Sequence, residues 1–131
     1  MSHDADPTAI PRAPTAVDVA SLDRVWRLAD ATLREHRHGD VAAMVWATMQ
    51  ALGWVMGAAT EAPVSEQREA NPDRRRVDAE LALCLDQTRA AASKAEYARL
   101  KGIAEGLLFA LGEPGPFWWT SLERGVRRQA G

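Results

Sequence analysis

The densest set of chemically competent side chains is Glu35-His36-Arg37-His38-Gly39-Asp40, where two imidazoles stand among carboxylates. Such a set holds a divalent metal only if the ligands converge. On a helix His36 and His38 point about 200° apart, so convergence requires the last turn to unwind. As local structure the run reads as a polar helix end: Arg37 and His38 suit the negative end of the dipole, Gly39 takes the left-handed turn, and Asp40 caps the next helix. Glu66 and Glu69 pose a second question. An all-α hydrolase working on magnesium sets Glu-x-x-Glu on one helix against Glu-x-x-Asp on another, so that residues three apart share the ions. Glu66-x-x-Glu69 meets the first half, but Asp78 and Glu80 are two apart and face different ways on a helix. The chain has no Gly-rich phosphate loop, no Gly-x-Ser-x-Gly elbow and no His-Glu-x-x-His. The single cysteine, Cys84, shares an apolar stripe with Leu81 and Leu85, which predicts a buried, inert thiol. His3 is assigned no role. The expectation is a non-enzymatic protein with no catalytic residue, no metal and no cofactor. A metal-dependent hydrolase built on Glu66, Glu69, Asp78 and Glu80 is the weaker alternative.

Two other constellations suit binding. Arg74-Arg75-Arg76 puts three cations in the first turn of a helix, where the dipole opposes them and Asp73 and Asp78 offset them only in part. They fit phosphates, an acidic protein surface, or their own neighbouring carboxylates. The C-terminal run from Phe117 is aromatic and basic. Phe117, Trp118, Trp119 and Leu122 supply apolar anchors, and Arg124, Arg127 and Arg128 supply charge. These seven are the expected partner-binding residues, for a partner protein or a second copy of the chain. Folding back to cap the bundle is the competing reading, because two adjacent indoles are costly to leave in water. A nucleic-acid-binding accessory factor using Arg74, Arg75, Arg76 and the basic C-terminal helix is the alternative. It is not favoured, since Glu80 and Asp86 repel a phosphate backbone and Gln87 alone resembles a base reader.

Composition narrows the class. At 131 residues the chain fits one compact domain, and 47% hydrophobic with 26% charged residues is ordinary globular usage. A formal charge of −2 argues against a surface built throughout for nucleic acid. One cysteine excludes an internal disulfide and suits a reducing compartment. The start lacks a basic segment followed by an apolar run, so the cytoplasm is the expected location. Five Trp beside one Tyr and two Phe is an unusual balance, and indoles favour partly wet seats and interfaces.

Stepping along the chain, Pro7, Pro11 and Pro14 make residues 1–16 a predicted disordered tail, followed by a helical domain over 17–131. Asp18 is an N-cap for a helix carrying Leu22, Val25, Trp26, Ala29 and Leu33 at helical spacing. From Val41 to Thr60 there is one charge-free run, which predicts a central buried helix. It is long enough to span a bilayer and contains Gly53-x-x-x-Gly57, but Gln50 and its Ala, Gly, Thr and Met content disfavour insertion, so a membrane role is not expected. The predicted layout is a hairpin over 18–57, a loop over 58–71, a hairpin over 72–112 and a short helix over 118–129. Asn71-Pro72 marks the restart, Ser93-Lys94-Ala95-Glu96 a capping box that breaks the second hairpin, and Thr120-x-x-Glu123 another. A continuous helix through Ala90–Ala95 is the alternative. Sliding the chain so that Gly57 falls on Gly112 also sets Asp18 on Asp73, Leu22 on Val77 and Trp54 on Phe109, a weak internal repeat.

The fold class is therefore all-α: an antiparallel four-helix bundle-like domain made of two αα-hairpins plus a short C-terminal helix. A core accounts for Trp26, Trp46 and Trp54, leaving Trp118 and Trp119 as the surplus. The Ala-Leu-x-Trp-x-x-Gly stretch with Ala-Pro after it, within Ala51–Pro63, resembles small helical proteins of unknown function from high-GC actinobacteria and their phages and mobile elements. That resemblance implies an accessory role and carries over no catalytic residue.

Overall fold

The computed structural model describes residues 17–123. The expected tail over 1–16 and the predicted contacts Arg124, Arg127 and Arg128 lie outside the described residues. The described chain forms four helices: α1 (Val19–Glu35), α2 (Gly39–Val55), α3 (Arg74–Arg89) and α4 (Lys94–Ala110). They pack as an all-α helical bundle.

Local signals fix most of the ends. The Asp18 carboxylate accepts the Ser21 N–H and caps α1, and that bond holds its carboxyl below the ordinary value. Ser93 Oγ accepts the Glu96 N–H, so α3 and α4 are separate helices. Gly57 and Gly112 leave α2 and α4 at φ of +84° and +85°, the left-handed region that suits glycine. Three expected starts are corrected. The restart is capped by Asp73, whose carboxylate accepts the Arg76 N–H, while Asn71 sits in the left-handed region at φ 54°. Asp40 lies inside the first turn of α2 and His38 precedes the helix without a side-chain capping bond. The Thr120 hydroxyl turns backward to accept the Phe117 N–H, not forward to Glu123.

α1 with α2 and α3 with α4 form the two hairpins, and α2 against α4 is the largest contact in the molecule. Small residues let those two helices touch. A Cβ added at Gly102 would lie 2.1 Å from the Met44 carbonyl oxygen, and one at Gly106 would lie 3.1 Å from Ala51 Cβ. Thr48 Oγ1 donates to the Gly102 carbonyl across this crossing at 2.8 Å. Because Met44 meets Gly102 and Ala51 meets Gly106, residue numbers rise together, and α2 and α4 run in the same direction.

That placement explains the charge-free run. α2 is central: Val45, Ala47, Thr48, Ala51, Leu52 and Trp54 are fully buried, each large apolar side chain contributing about 1.5–3 kcal/mol of transfer free energy. No helix among the described residues is long and apolar enough to cross a membrane.

The internal repeat extends to geometry. α2 and α4 are both 17 residues long, and shifting one onto the other also superimposes Asp18 on Asp73 and Gly57 on Gly112. The exits share their hydrogen bonds: Gly57 N–H to Trp54 O and Ala58 N–H to Gly53 O match Gly112 N–H to Phe109 O and Glu113 N–H to Leu108 O. Leu22 and Val77, and likewise Val45 and Leu100, are buried at matching positions.

Candidate interaction surface

The two hairpins are followed by segments that fold back differently. After the second, Phe117, Trp118 and Trp119 return to the bundle. Trp119 is 1% exposed, stacked on Phe117 at 4.7 Å and edge-on to Phe109 at 5.6 Å. Trp118 packs beside Ala29, Val45 and Met49. Its indole Nε1–H donates to Thr48 Oγ1 at 2.9 Å, and its backbone N–H donates to Glu105 Oε1 at 2.6 Å. Glu105 is in turn ion-paired with Lys101. Trp119 is thus a core residue and not an anchor for a partner. Trp118 is held by its indole hydrogen bond and Trp119 by ring contacts on face and edge, seats more favourable than water. Phe117 and Trp118 are half-buried against the same core, and Leu122 remains exposed. Arg24 on α1 is ion-paired with Glu123.

After the first hairpin the matching positions carry Ala62, Pro63 and Val64. This loop is pinned by a side chain that the sequence offers as a hydrolase carboxylate or a charge repelling phosphate. Glu80, on α3, is fully buried, and its Oε2 accepts the N–H groups of Val64 and Ser65 at 2.6 and 2.7 Å. Oε1 faces Arg76 Nη2 at 3.0 Å as an ion pair without the alignment of a hydrogen bond. Burial disfavours its charge, but the Ser65 and Val64 N–H groups, the Ser65 hydroxyl and Arg76 together outweigh that, so the carboxyl is held below its ordinary range.

Arg76 also pairs with Glu69 at 2.9 Å, donates to Ser65 Oγ and lies 5.4 Å over the Trp54 ring. It is committed inside the chain, and the predicted cationic triplet is reduced to the exposed Arg74 and Arg75. The helix dipole cost of three cations is met at Arg76 by the buried Glu80 and the partly exposed Glu69. The hydrolase carboxylates scatter: Glu80 is buried, Glu69 pairs with Arg76, and Glu66 and Asp78 are exposed. Among the described residues no three His, Cys, Asp or Glu side chains converge as metal ligands. Cys84 is buried, donates to Leu100 O, and burial pushes its thiol up to about 11, which removes it as a nucleophile at neutral pH.

The largest surprise is Trp46. Expected in the core, it is 52% exposed on α2, the most exposed large hydrophobic residue described. It lines an open cleft of about 650 Å³ with Gln50, Arg99 and the loop residues Thr60, Glu61, Pro63 and Glu66. The Arg99 guanidinium and the Gln50 amide make no ion pair or hydrogen bond within the described chain, whereas Glu61 lies 3.9 Å from Arg68. Glu66 holds a left-handed backbone at φ 62°, a conformation with no local benefit for a side chain of this type. The opening thus presents a flat indole, the Arg99 cation, an unpaired amide and the carboxylates of Glu61 and Glu66. Periodicity missed this residue because α2 carries no charged residue after Asp40 to mark its outer side.

Comparison with protein-family models, with curated proteins and with solved structures found no match.

Proposed function

We propose that this chain is a small non-enzymatic helical module that docks a partner protein through the cleft at Trp46. The observation that carries this is the half-exposed indole beside the unpaired Arg99, on a helix whose only charged side chain is Asp40. Exposed Trp and Arg at the centre of a concave site are the residue types that dominate binding free energy at protein interfaces. The accessory role suggested by the resemblance to small actinobacterial and phage helical proteins fits the same reading. Supporting it further, the aromatic residues of the C-terminal segment are drawn into the chain's own core, which leaves Trp46 as the indole available for contact.

The test compares the wild-type chain with Trp46→Ala as bait against extract of the producing cells. A protein retained by the wild type and lost with Trp46→Ala, while the variant's thermal unfolding is unchanged, supports docking at this cleft. Equal retention by both places the contact elsewhere and removes the reading.

A further inference from the structure

A second open groove, sharing no residue with the Trp46 cleft, lies where α2 and α4 begin, beside the turn that ends α3. It encloses about 610 Å³, and Val41, Met44, Ala91, Tyr97 and Ala98 give it an apolar surface on which Val41 and Tyr97 are 46% and 49% exposed. Along α2, Val41 and Trp46 point about 140° apart, so the two openings lie on different sides of the helix. Most polar groups around the groove are spent within the chain. The Thr88 hydroxyl donates to the Cys84 carbonyl, Ser93 Oγ accepts the Glu96 N–H, and Lys101 pairs with Glu105. Two charges are left over. Asp40 on α2 and Lys94 on α4 both line the groove and are exposed, and neither side chain makes an ion pair or hydrogen bond among the described residues.

We infer that this groove is the interface of a two-fold homodimer, in which Asp40 of each copy pairs with Lys94 of the other across an apolar centre made by Val41, Met44 and Tyr97 of both. Charge complementarity argues for a second copy. A two-fold interface sets one patch against itself, so each charge on the patch must find its opposite on that same patch. This patch carries one unpaired carboxylate and one unpaired ammonium, on different helices, and no third unpaired charge. A foreign partner requires no such balance, whereas a self-complementary face does. The backbone reinforces the Lys94 contact, because its ammonium stands in the first turn of α4, where the positive helix end favours an approaching carboxylate. Tyr97 is of the residue type that anchors interface centres, with an apolar ring and a hydroxyl free of hydrogen bonds among the described residues.

The experiment measures the mass of the full chain by sedimentation over a concentration series, for the wild type, Asp40→Lys, Lys94→Asp, an equimolar mixture of those two variants, Tyr97→Ala and Trp46→Ala. The wild type is expected to reach the mass of a dimer as concentration rises. Each charge reversal sets like charges together at both ends of the interface and is expected to weaken self-association roughly tenfold or more. In the mixture, the introduced lysine of one variant meets the aspartate of the other, and the two native partners meet likewise, so a heterodimer forms at the wild-type concentration. Its recovery also shows that both variants are folded. Tyr97→Ala is expected to be monomeric with its helical circular dichroism unchanged, and Trp46→Ala to dimerise as the wild type does. A wild type that stays monomeric throughout overturns the inference. So does a dimer that survives both reversals, or a mixture in which association does not return. A dimer dissolved by Trp46→Ala and untouched by the reversals places the interface at the other cleft and overturns it as well.

Discussion

The two halves of the molecule share a backbone plan and differ in how they are closed. In each, an Asp-capped outer helix leads through a short turn to an inner helix that ends on a left-handed glycine. The inner helices are matched residue for residue and pack on each other in parallel. In the second half, the segment after the glycine brings two indoles and a phenylalanine back onto the bundle, and Glu105 and Thr48 hold it there. In the first half, the same stretch brings alanine, proline and valine, so the fastening comes from the outer helix instead. Glu80 occupies the place that Val25 holds in α1 and reaches up to the loop N–H groups. The difference teaches that one architecture closes either with aromatic area or with a buried carboxylate. The aromatic closure sets an indole on Thr48 of the inner helix, and the carboxylate closure leaves the cleft beside Trp46.

The comparison breaks first at Trp119. Truncation to alanine removes a fully buried indole together with its contacts to Phe109 and Phe117, and a loss of about 3–5 kcal/mol is expected in chemical denaturation. A loss below about 1 kcal/mol would mean the aromatic closure is ornamental.

Glu80→Ala attacks the other closure. It leaves two loop N–H groups without an acceptor and Arg76 without one of its two carboxylates, at a cost of about 3 kcal/mol near neutral pH. The sign of its pH dependence follows from linkage. A carboxyl lowered in the folded state contributes stability that is fully present above its ordinary value of 4.5 and is lost as pH falls through the folded-state value. The gap between wild type and Glu80→Ala therefore narrows on acidification below that value. A gap that stays constant or widens in acid contradicts the assignment.

A smaller effect belongs to Thr48, where α2, α4 and the C-terminal segment meet. Thr48→Val keeps the shape and removes the acceptor of the Trp118 indole and the donor to the Gly102 carbonyl, for an expected loss of about 1–2 kcal/mol. The counterpart on the other inner helix is Ile103, which makes no such bond. Ile103→Val is expected to cost only about 1 kcal/mol, from volume alone.

The sequence makes the helix ends legible wherever a local device sets them: Asp18, Ser93, Gly57 and Gly112 all do what their side chains or backbone freedom predict. Asn71 shows the limit. A good capping residue with proline after it lost to Asp73, which has the extended backbone of a cap and accepts the Arg76 N–H, while Asn71 is left-handed. The surface was harder to read than the fold. Trp46 and Trp119 exchange their expected burial because each is decided by contacts distant in sequence. The outer side of α2 has no charged residue to mark it, and the seat of Trp119 is built by Phe109 and Phe117. Close approach of helices occurs not at Gly53 but at Gly102 and Gly106, where the partner helix supplies Ala51 and the Met44 carbonyl. The one available hint was the internal repeat, which sets Pro63 against Trp118 and Glu80 against Val25.

The central claim is that the indole of the first half's inner helix, Trp46, stands in solvent while Trp119, after the second half, is buried. Acrylamide quenching of tryptophan fluorescence tests it most directly, comparing wild type with Trp46→Phe and Trp119→Phe. The account predicts that the most accessible fraction of the emission disappears with Trp46→Phe and persists with Trp119→Phe. An accessible fraction unchanged by Trp46→Phe and lost with Trp119→Phe contradicts it.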